Sequence, residues 1–476
     1  MFVRDVEIEP ISLERLAPLL LDERVRALEE NVAAAHELLD GRVVWNVNAT
    51  ATGGGVAEML QALLAYSRGA GVDTRWLVLG GSREFFAVTK RLHNFLHGTK
   101  GDGGDLGEAE RAAYEQALAP DIEDLCARVS KDDIVLLHDP QTAGMIAAVK
   151  ETGAKVVWRS HIGRDTPNEQ TDLGWQFLRP YVEGAHAVVF SRAQYAPDWL
   201  DPELVRVIPP SLDPFSAKNA DLEEPDVLAT LRKTGLVEVD DGHGTVEFTA
   251  RDGSKGSVEE HGDLFVAGET VPKDARIVMQ VSRWDRLKDM DGVMKAFTEH
   301  LEEMPDDAHL MLVGPDVYGV SDDPEGEQVL DECVEQWKAL PPEAQARVHL
   351  VALPMDDIAE NAHIVNALQH HADVVVQKSL VEGFGLTVTE PMWKGRAVVA
   401  SKVGGIQDQI VDGESGLLLA DPEDLDAFAD LLVTVLSDET LASRLGEAAR
   451  QRVTEQYLGD RHLIQYVELF RELLTG

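Results

Sequence analysis

Short runs of aliphatic and β-branched residues recur along this chain, most of them followed by a segment with helical spacing, and the whole series occurs twice. In the first half the expected strands are 42–48, 74–79, 133–137, 155–158, 187–190 and 204–208. In the second half they are 276–281, 309–313, 348–351, 373–376, 397–400 and 416–419. Strand alternating with helix builds a parallel sheet covered on both faces. Between the two series, Pro209-Pro210-Ser211-Leu212-Asp213-Pro214 puts three prolines in six residues. Continuous helix and central strand are both forbidden there, so a domain boundary is expected. The fold class is α/β: two doubly wound, Rossmann-like domains facing a central cleft, with ligands at the carboxyl ends of the strands. A chain of 476 residues is long enough for each to bury its own core.

Three stretches stand outside the alternation. Residues 1–40 read as a helix-rich extension, with Ser12 capping a first turn. Residues 237–268 carry short alternating runs and many glycines, and read as one or two inserted hairpins rather than a core element. The end of the chain, from Pro422 onward, reads as all helix. The expected domains are 1–210, 211–456 and a last helix, 457–476.

The net charge of −42 excludes nucleic acid and anionic membranes as ready partners. The acids are spread along the chain, which implies an acidic surface, either simply solvating or adapted to high salt. Cys126 and Cys333 are the only cysteines. That rules out a disulfide framework and suits a reducing cytoplasm. No apolar run approaches the roughly 20 residues of a membrane span, and Met1-Phe2-Val3-Arg4-Asp5 does not open a signal peptide.

Chemistry concentrates where strands end. Ser282-Arg283-Trp284-Asp285-Arg286-Leu287-Lys288 follows one strand directly. Arg283 and Lys288 can converge on a diphosphate and neutralise it without a metal; two ordinary surface cations is the competing reading. After Val374-Val375-Val376 comes Glu382-Gly383-Phe384-Gly385-Leu386, and Glu390 follows eight positions after Glu382. Strand, glycine loop and helix opening turn backbone N–H groups toward an anion. Two carboxylates beside it suit the hydroxyls of a sugar and a ribose; solvent-facing helix acids is the bland alternative. Gly53-Gly54-Gly55 opens a helix after the first strand, but it is neither GxGxxG nor a Walker A sequence, so a plain tight turn explains it equally well. His138-Asp139-Pro140-Gln141 and Arg159-Ser160-His161 each follow a strand of the first domain. His93 and His97 lie four apart on a helix without further ligands, and no metal site is read.

These residues resemble a known family. Arg283 and Lys288, followed by the acid pair Glu382 and Glu390, are similar to the retaining nucleotide-sugar glycosyltransferases of the GT-B fold. Within them, Asn48 to Glu58, Glu84 to Asn94, His138 to Gln141 and Trp158 to His161 look like the trehalose glycosyltransferring synthases. The resemblance runs from about Leu38 to the end of the chain. It implies a hexosyltransferase that joins the glucose of ADP- or UDP-glucose to free glucose, reversibly, giving α,α-trehalose.

The resemblance also implies roles. Arg283 and Lys288 would hold the donor diphosphate. Glu382, with the backbone around Gly383, Phe384, Gly385 and Leu386, would hold donor glucose and phosphate, and Glu390 the ribose. Gly54 and Gly55 would allow close approach to the donor. His161 would contact the transferred glucose. Asp139, Gln141, Lys90, Asn94 and Arg159 would shape the acceptor pocket. The last helix would cross back onto the first domain, and domain closure about the proline segment would exclude water. No cofactor is implied, and the partners are the nucleotide sugar, glucose and trehalose, with a homodimer left open. Gly163 stands where similar enzymes carry Asp, which puts acceptor contacts there in question. The competing functions are a retaining trehalose phosphorylase, in which inorganic phosphate replaces the nucleotide, a GT-B sugar-nucleotide epimerase, and a non-catalytic nucleotide- or glycan-binding protein.

Overall fold

The computed structural model describes residues 3–51, 54–238, 245–250, 253–261, 263–318 and 324–475. It divides into two compact units, the first comprising 1–212 and 457–476, the second 213–456.

The first unit is built on seven strands, β1 (Arg4–Val6), β2 (Val44–Asn48), β3 (Thr74–Val78), β4 (Ile134–His138), β5 (Lys155–Ser160), β6 (Ala187–Phe190) and β7 (Val205–Val207). Their order is β1-β3-β2-β4-β5-β6-β7, with only β1 antiparallel. Side chains alternate across the sheet. Val135, Leu137 and Trp158 enter one core, while Ile134, Leu136 and Val157 enter another. The second of these cores is closed by Tyr466, Leu469 and Phe470 of the last helix, Gly459–Thr475. Both faces are therefore dry, and each fully buried aliphatic side chain contributes about 1.5–3 kcal/mol.

In the second unit, a hairpin pairs β8 (Glu247–Thr249) with β9 (Lys255–Ser257). Next come β10 (Phe265–Ala267), β11 (Arg276–Val281), β12 (Ala308–Pro315), β13 (Val348–Leu353), β14 (Val374–Gln377), β15 (Ala397–Ser401) and β16 (Leu417–Leu419). The sheet order is β10-β13-β12-β11-β14-β15-β16, and β10 alone runs antiparallel.

Two segments depart from the sequence reading. The extension before residue 40 supplies a strand, β1, as well as helix. The expected insert is a hairpin only in part: β10 completes the main sheet, and Val246, Phe248, Val258 and Leu264 are buried in the core. Its short apolar runs mimic a surface hairpin because β10 pairs over only three residues. Residues 239–244, 251–252 and 262 of this stretch lie outside the described residues. Among those described, no helix is long and apolar enough to cross a membrane.

The strand orders locate the chemistry. In each sheet, connections leave in opposite directions from one pair of neighbouring parallel strands. A crevice opens at the carboxyl ends of that pair. The pair is β2 and β4 in the first unit, β11 and β14 in the second.

Candidate active site

In the second unit, the segments after β11 and β14 carry the residues singled out from the sequence. Arg283 lies two residues past β11; its side chain is 58% exposed and donates to Asp285 Oδ2 at 3.1 Å. Lys288 ends a 3₁₀ turn, Arg286–Lys288, capped by Asp285. Its Nζ lies 2.6 Å from Glu382 Oε2, with the two side chains only 15% and 11% exposed. Behind this pair Lys378, fully buried, is ion-paired with Asp289. Asp289 sits at φ 53° where the 3₁₀ turn meets the helix Met290–Glu299. Gln280, at the end of β11, ties the two segments together. Its amide donates to Lys288 O at 2.7 Å, and its carbonyl accepts from Lys378 N at 3.2 Å.

The glycine loop is oriented by its carbonyls. Gly405 N donates to Gly383 O at 3.0 Å, and Gln409 Nε2 donates to Phe384 O at 2.6 Å and Gly385 O at 3.2 Å. Gly385 has φ 86° and precedes the helix Leu386–Trp393, which has no side-chain cap. The first N–H groups of such a helix have no partner within the helix, and they favour an anion. Gly405 is required by packing, since a Cβ there would lie 2.7 Å from Phe384 Cα; Gly385 is favoured by its positive φ, and a Cβ there would sit tightly, 3.1 Å from Ile406.

Glu390 lies on the same helix with its side chain 4% exposed, and its carboxylate meets Lys218 Nζ at 2.9 Å. Gln369 Nε2 is 3.4 Å from its other oxygen. The two acids of the motif thus serve different lysines. Lys394, one turn beyond, donates to Asn219 Oδ1 at 3.2 Å, and burial pushes its pKa down to about 7.

In the first unit, Gly54 and Gly55 open the helix Gly54–Gly69 that follows β2; Gly53 lies outside the described residues. His138 ends β4, and Asp139 turns the chain at φ 64°. Asp139 Oδ1 accepts from His161 N at 2.7 Å, and burial raises its pKa to about 7. Gln141 Oε1 is buried with no hydrogen-bond partner among the described residues. Such an acceptor is costly unless a donor completes it. His161 stacks on His138 with centroids 5.4 Å apart, and their nearest ring nitrogens are 3.1 Å apart. Burial lowers the pKa of both imidazoles, helped by the charge of Arg159.

Arg159 is a correction. It is fully buried, with its donors directed at His161, His462, Tyr466 OH and Ile208 O. That is at odds with direct contact to an acceptor sugar. Sequence could not show it, because His462 and Tyr466 lie some 300 residues away. Lys90 is exposed on the helix Arg83–Leu96, and Asn94 shares its face, opposite Phe85, Val88 and Leu92. Gly163 has a packing reason: a Cβ there would lie 2.0 Å from the ring of Tyr195. His93 and His97 are ring neighbours, and among the described residues no group of three His, Cys, Asp or Glu could hold a metal.

Sequence reasoning missed Lys378, Gln409, Lys218, His462 and Tyr466. His462 and Tyr466 carry a signal, being polar aromatic residues at i and i+4 on one face of the last helix. The others show none.

Comparison with known proteins gives the family. Residues 46–197 match the profile described as trehalose synthase, N-terminal domain, and residues 265–452 match that of glycosyl transferases group 1. The trehalose synthase of Thermococcus litoralis is 34% identical over 461 residues, 96% of each chain. A trehalose phosphorylase of Pleurotus pulmonarius is 25% identical over 89% of this chain and 56% of its own. Among solved structures, the UDP-forming α,α-trehalose-phosphate synthase of Burkholderia xenovorans, in complex with glucose 6-phosphate, superposes with a TM-score of 0.65 at 15% identity, over 92% of this chain and 100% of its own.

Proposed function

Since the chain belongs to the trehalose synthase family of glycosyltransferases, we propose that it makes α,α-trehalose by moving glucose, with retention, from a nucleoside diphosphate glucose to free glucose. The observation that carries the donor half is the Lys288–Glu382 pair, 2.6 Å apart, beside an uncapped helix opening at the β11/β14 switch point. A diphosphate there meets Lys288, Arg283 and the N–H groups of the glycine loop, while Glu382 takes hydroxyls of the glucose. Glu390 exchanges Lys218 for the ribose hydroxyls. In the first unit His161 contacts the transferred glucose, and Asp139 and Gln141 bind the acceptor.

Retention follows a front-face route in this reading. The bond from anomeric carbon to phosphate oxygen breaks as an oxocarbenium-like sugar forms. The acceptor hydroxyl attacks from the same face and passes its proton to the departing phosphate oxygen. The protein supplies orientation and charge stabilisation, so neither nucleophile nor metal is required.

Trehalose incubated separately with ADP, UDP and inorganic phosphate tests the function. The expected product is a sugar nucleotide from one or both nucleotides, formed equally in EDTA. Glucose 1-phosphate from the phosphate arm alone would overturn it in favour of a phosphorylase. The phosphorylase relative, at 25% identity, is the more distant of the two, which favours transfer.

A further inference from the structure

Arg159 is an unusual group to bury. It is 0% exposed, and no carboxylate among the described residues hydrogen-bonds it. A charge in such a place is a poor stabiliser, since an apolar residue of similar volume often does as well or better. A guanidinium is always protonated and only donates. Any imidazole nitrogen that faces it must therefore be the bare one.

That rule fixes three histidines. Arg159 Nε lies 3.3 Å from His161 Nδ1, so His161 carries its proton on Nε2. This N–H donates to His138 Nδ1 at 3.1 Å. His138 in turn carries its proton on Nε2 and donates to Asn46 Oδ1, also at 3.1 Å. On the other side Arg159 Nη1 lies 3.4 Å from His462 Nε2, leaving the His462 proton on Nδ1, 2.8 Å from Ser211 Oγ. Tyr466 OH accepts from Nη1 at 2.6 Å, and Ile208 O from Nη2 at 2.9 Å. His462 and Tyr466 belong to the last helix, which Arg24 also anchors through both oxygens of buried Asp460.

We propose that Arg159, held by His462 and Tyr466 of the C-terminal helix, is a positioning residue that sets the tautomer and ring orientation of His161. The proposal rests on the reading that His161 contacts the transferred glucose. Both ring nitrogens of His161 are engaged and its backbone N–H is tied to Asp139, so the ring has no freedom to turn, and what it offers the glucose is the fixed surface of the ring rather than a nitrogen. The last helix thereby contributes to catalysis without touching substrate.

Long-range ¹H–¹⁵N spectra of ¹⁵N-histidine-labelled protein test the assignment directly. His138 and His161 are expected as Nε2–H and His462 as Nδ1–H, each assigned by its loss in a single variant. In Arg159→Met the His161 signals shift toward a mixture of tautomers, and kcat falls on the order of 10²-fold, as for a misplaced group. KM for the nucleotide sugar changes less than kcat. Should Arg159→Met not fold, Tyr466→Phe removes one hydroxyl only and is expected to lower kcat about fivefold, the worth of one hydrogen bond. An Nδ1–H tautomer of His161 in the unmodified enzyme overturns the proposal, as does Tyr466→Phe with unchanged kcat and unchanged spectra. His161→Asn separates the two layers: full turnover in that variant removes the glucose contact itself, whatever the spectra show.

Discussion

Arg283 and Lys288 differ in how the fold holds them. Lys288 is largely buried against Glu382, whereas Arg283 is exposed and, among the described residues, pairs only with its neighbour Asp285. Removing Arg283 therefore disturbs little structure, which makes it the cleaner probe of phosphate binding. Arg283→Ala is expected to fold normally and to lose on the order of 10²–10³ in turnover, as for one lost oxyanion donor. Steady-state kinetics decide this, and an unchanged kcat would refute the assignment. Lys288→Ala removes the 2.6 Å ion pair to Glu382 at a site where that carboxylate is only 11% exposed, so a loss of stability accompanies the loss of turnover.

The glycine loop and its helix work as a unit because Gln409 binds the loop from behind. Its amide holds the carbonyls of Phe384 and Gly385, and its own carbonyl accepts from Thr389 Oγ1 at 2.6 Å. With the carbonyls turned back, the opposite edge of the peptide units is available to an anion. Gln409→Leu is expected to raise the donor KM while leaving the acceptor KM near its original value. Equal shifts in both constants would argue against this role. Gly385→Ala acts on the same loop through its backbone: at φ 86° an L-residue costs about 1–2 kcal/mol, so a lower melting temperature accompanies weaker donor binding.

Taken whole, the molecule couples its stability to both pH and salt. Burial holds His138 down to about 3 and His349 and His370 to about 4. Unfolded histidine titrates near about 6.5. Their stabilisation is complete above that value and is lost as pH falls toward 3–4, because the unfolded chain binds protons that the folded one refuses. Asp139, raised to about 7, acts in the opposite sense, losing stability as pH rises from about 4 to 7, and so do Asp121, Asp289 and Asp373, whose carboxyls burial also raises. The buried histidines held low outnumber them and set the net sign. The urea midpoint is therefore expected to drop between pH 7 and pH 5, with a shallower slope in His349→Gln. A midpoint that does not move, or an unaltered slope in that variant, contradicts it. The net charge of −42 adds self-repulsion, which salt screens. Melting temperature is expected to rise with KCl into the molar range, and indifference to KCl would reject that account.

The sequence by itself determined the twelve parallel strands, most of the helices, the proline segment and the glycine loop, because periodicity, β-branching and ring constraints act within a few residues, but not the antiparallel edge strands β1 and β10. It also marked Arg283, Lys288, Glu382 and the His138 and His161 segments, since each lies on the stretch that leaves an apolar run. What joins them was decided elsewhere. Lys288 meets Glu382 across 94 residues only because β11 and β14 are neighbours in the sheet. Lys218 on Glu390, Lys378 on Asp289, and β10 on the edge of the second sheet are pairings of the same kind. Arg159 shows the limit most plainly. Read along the chain it is a cation at a strand end, open to a sugar. In the folded unit the last helix covers it and turns its donors inward. Strand order and the closing of a core are set by contacts between residues far apart in sequence, and no local pattern records them.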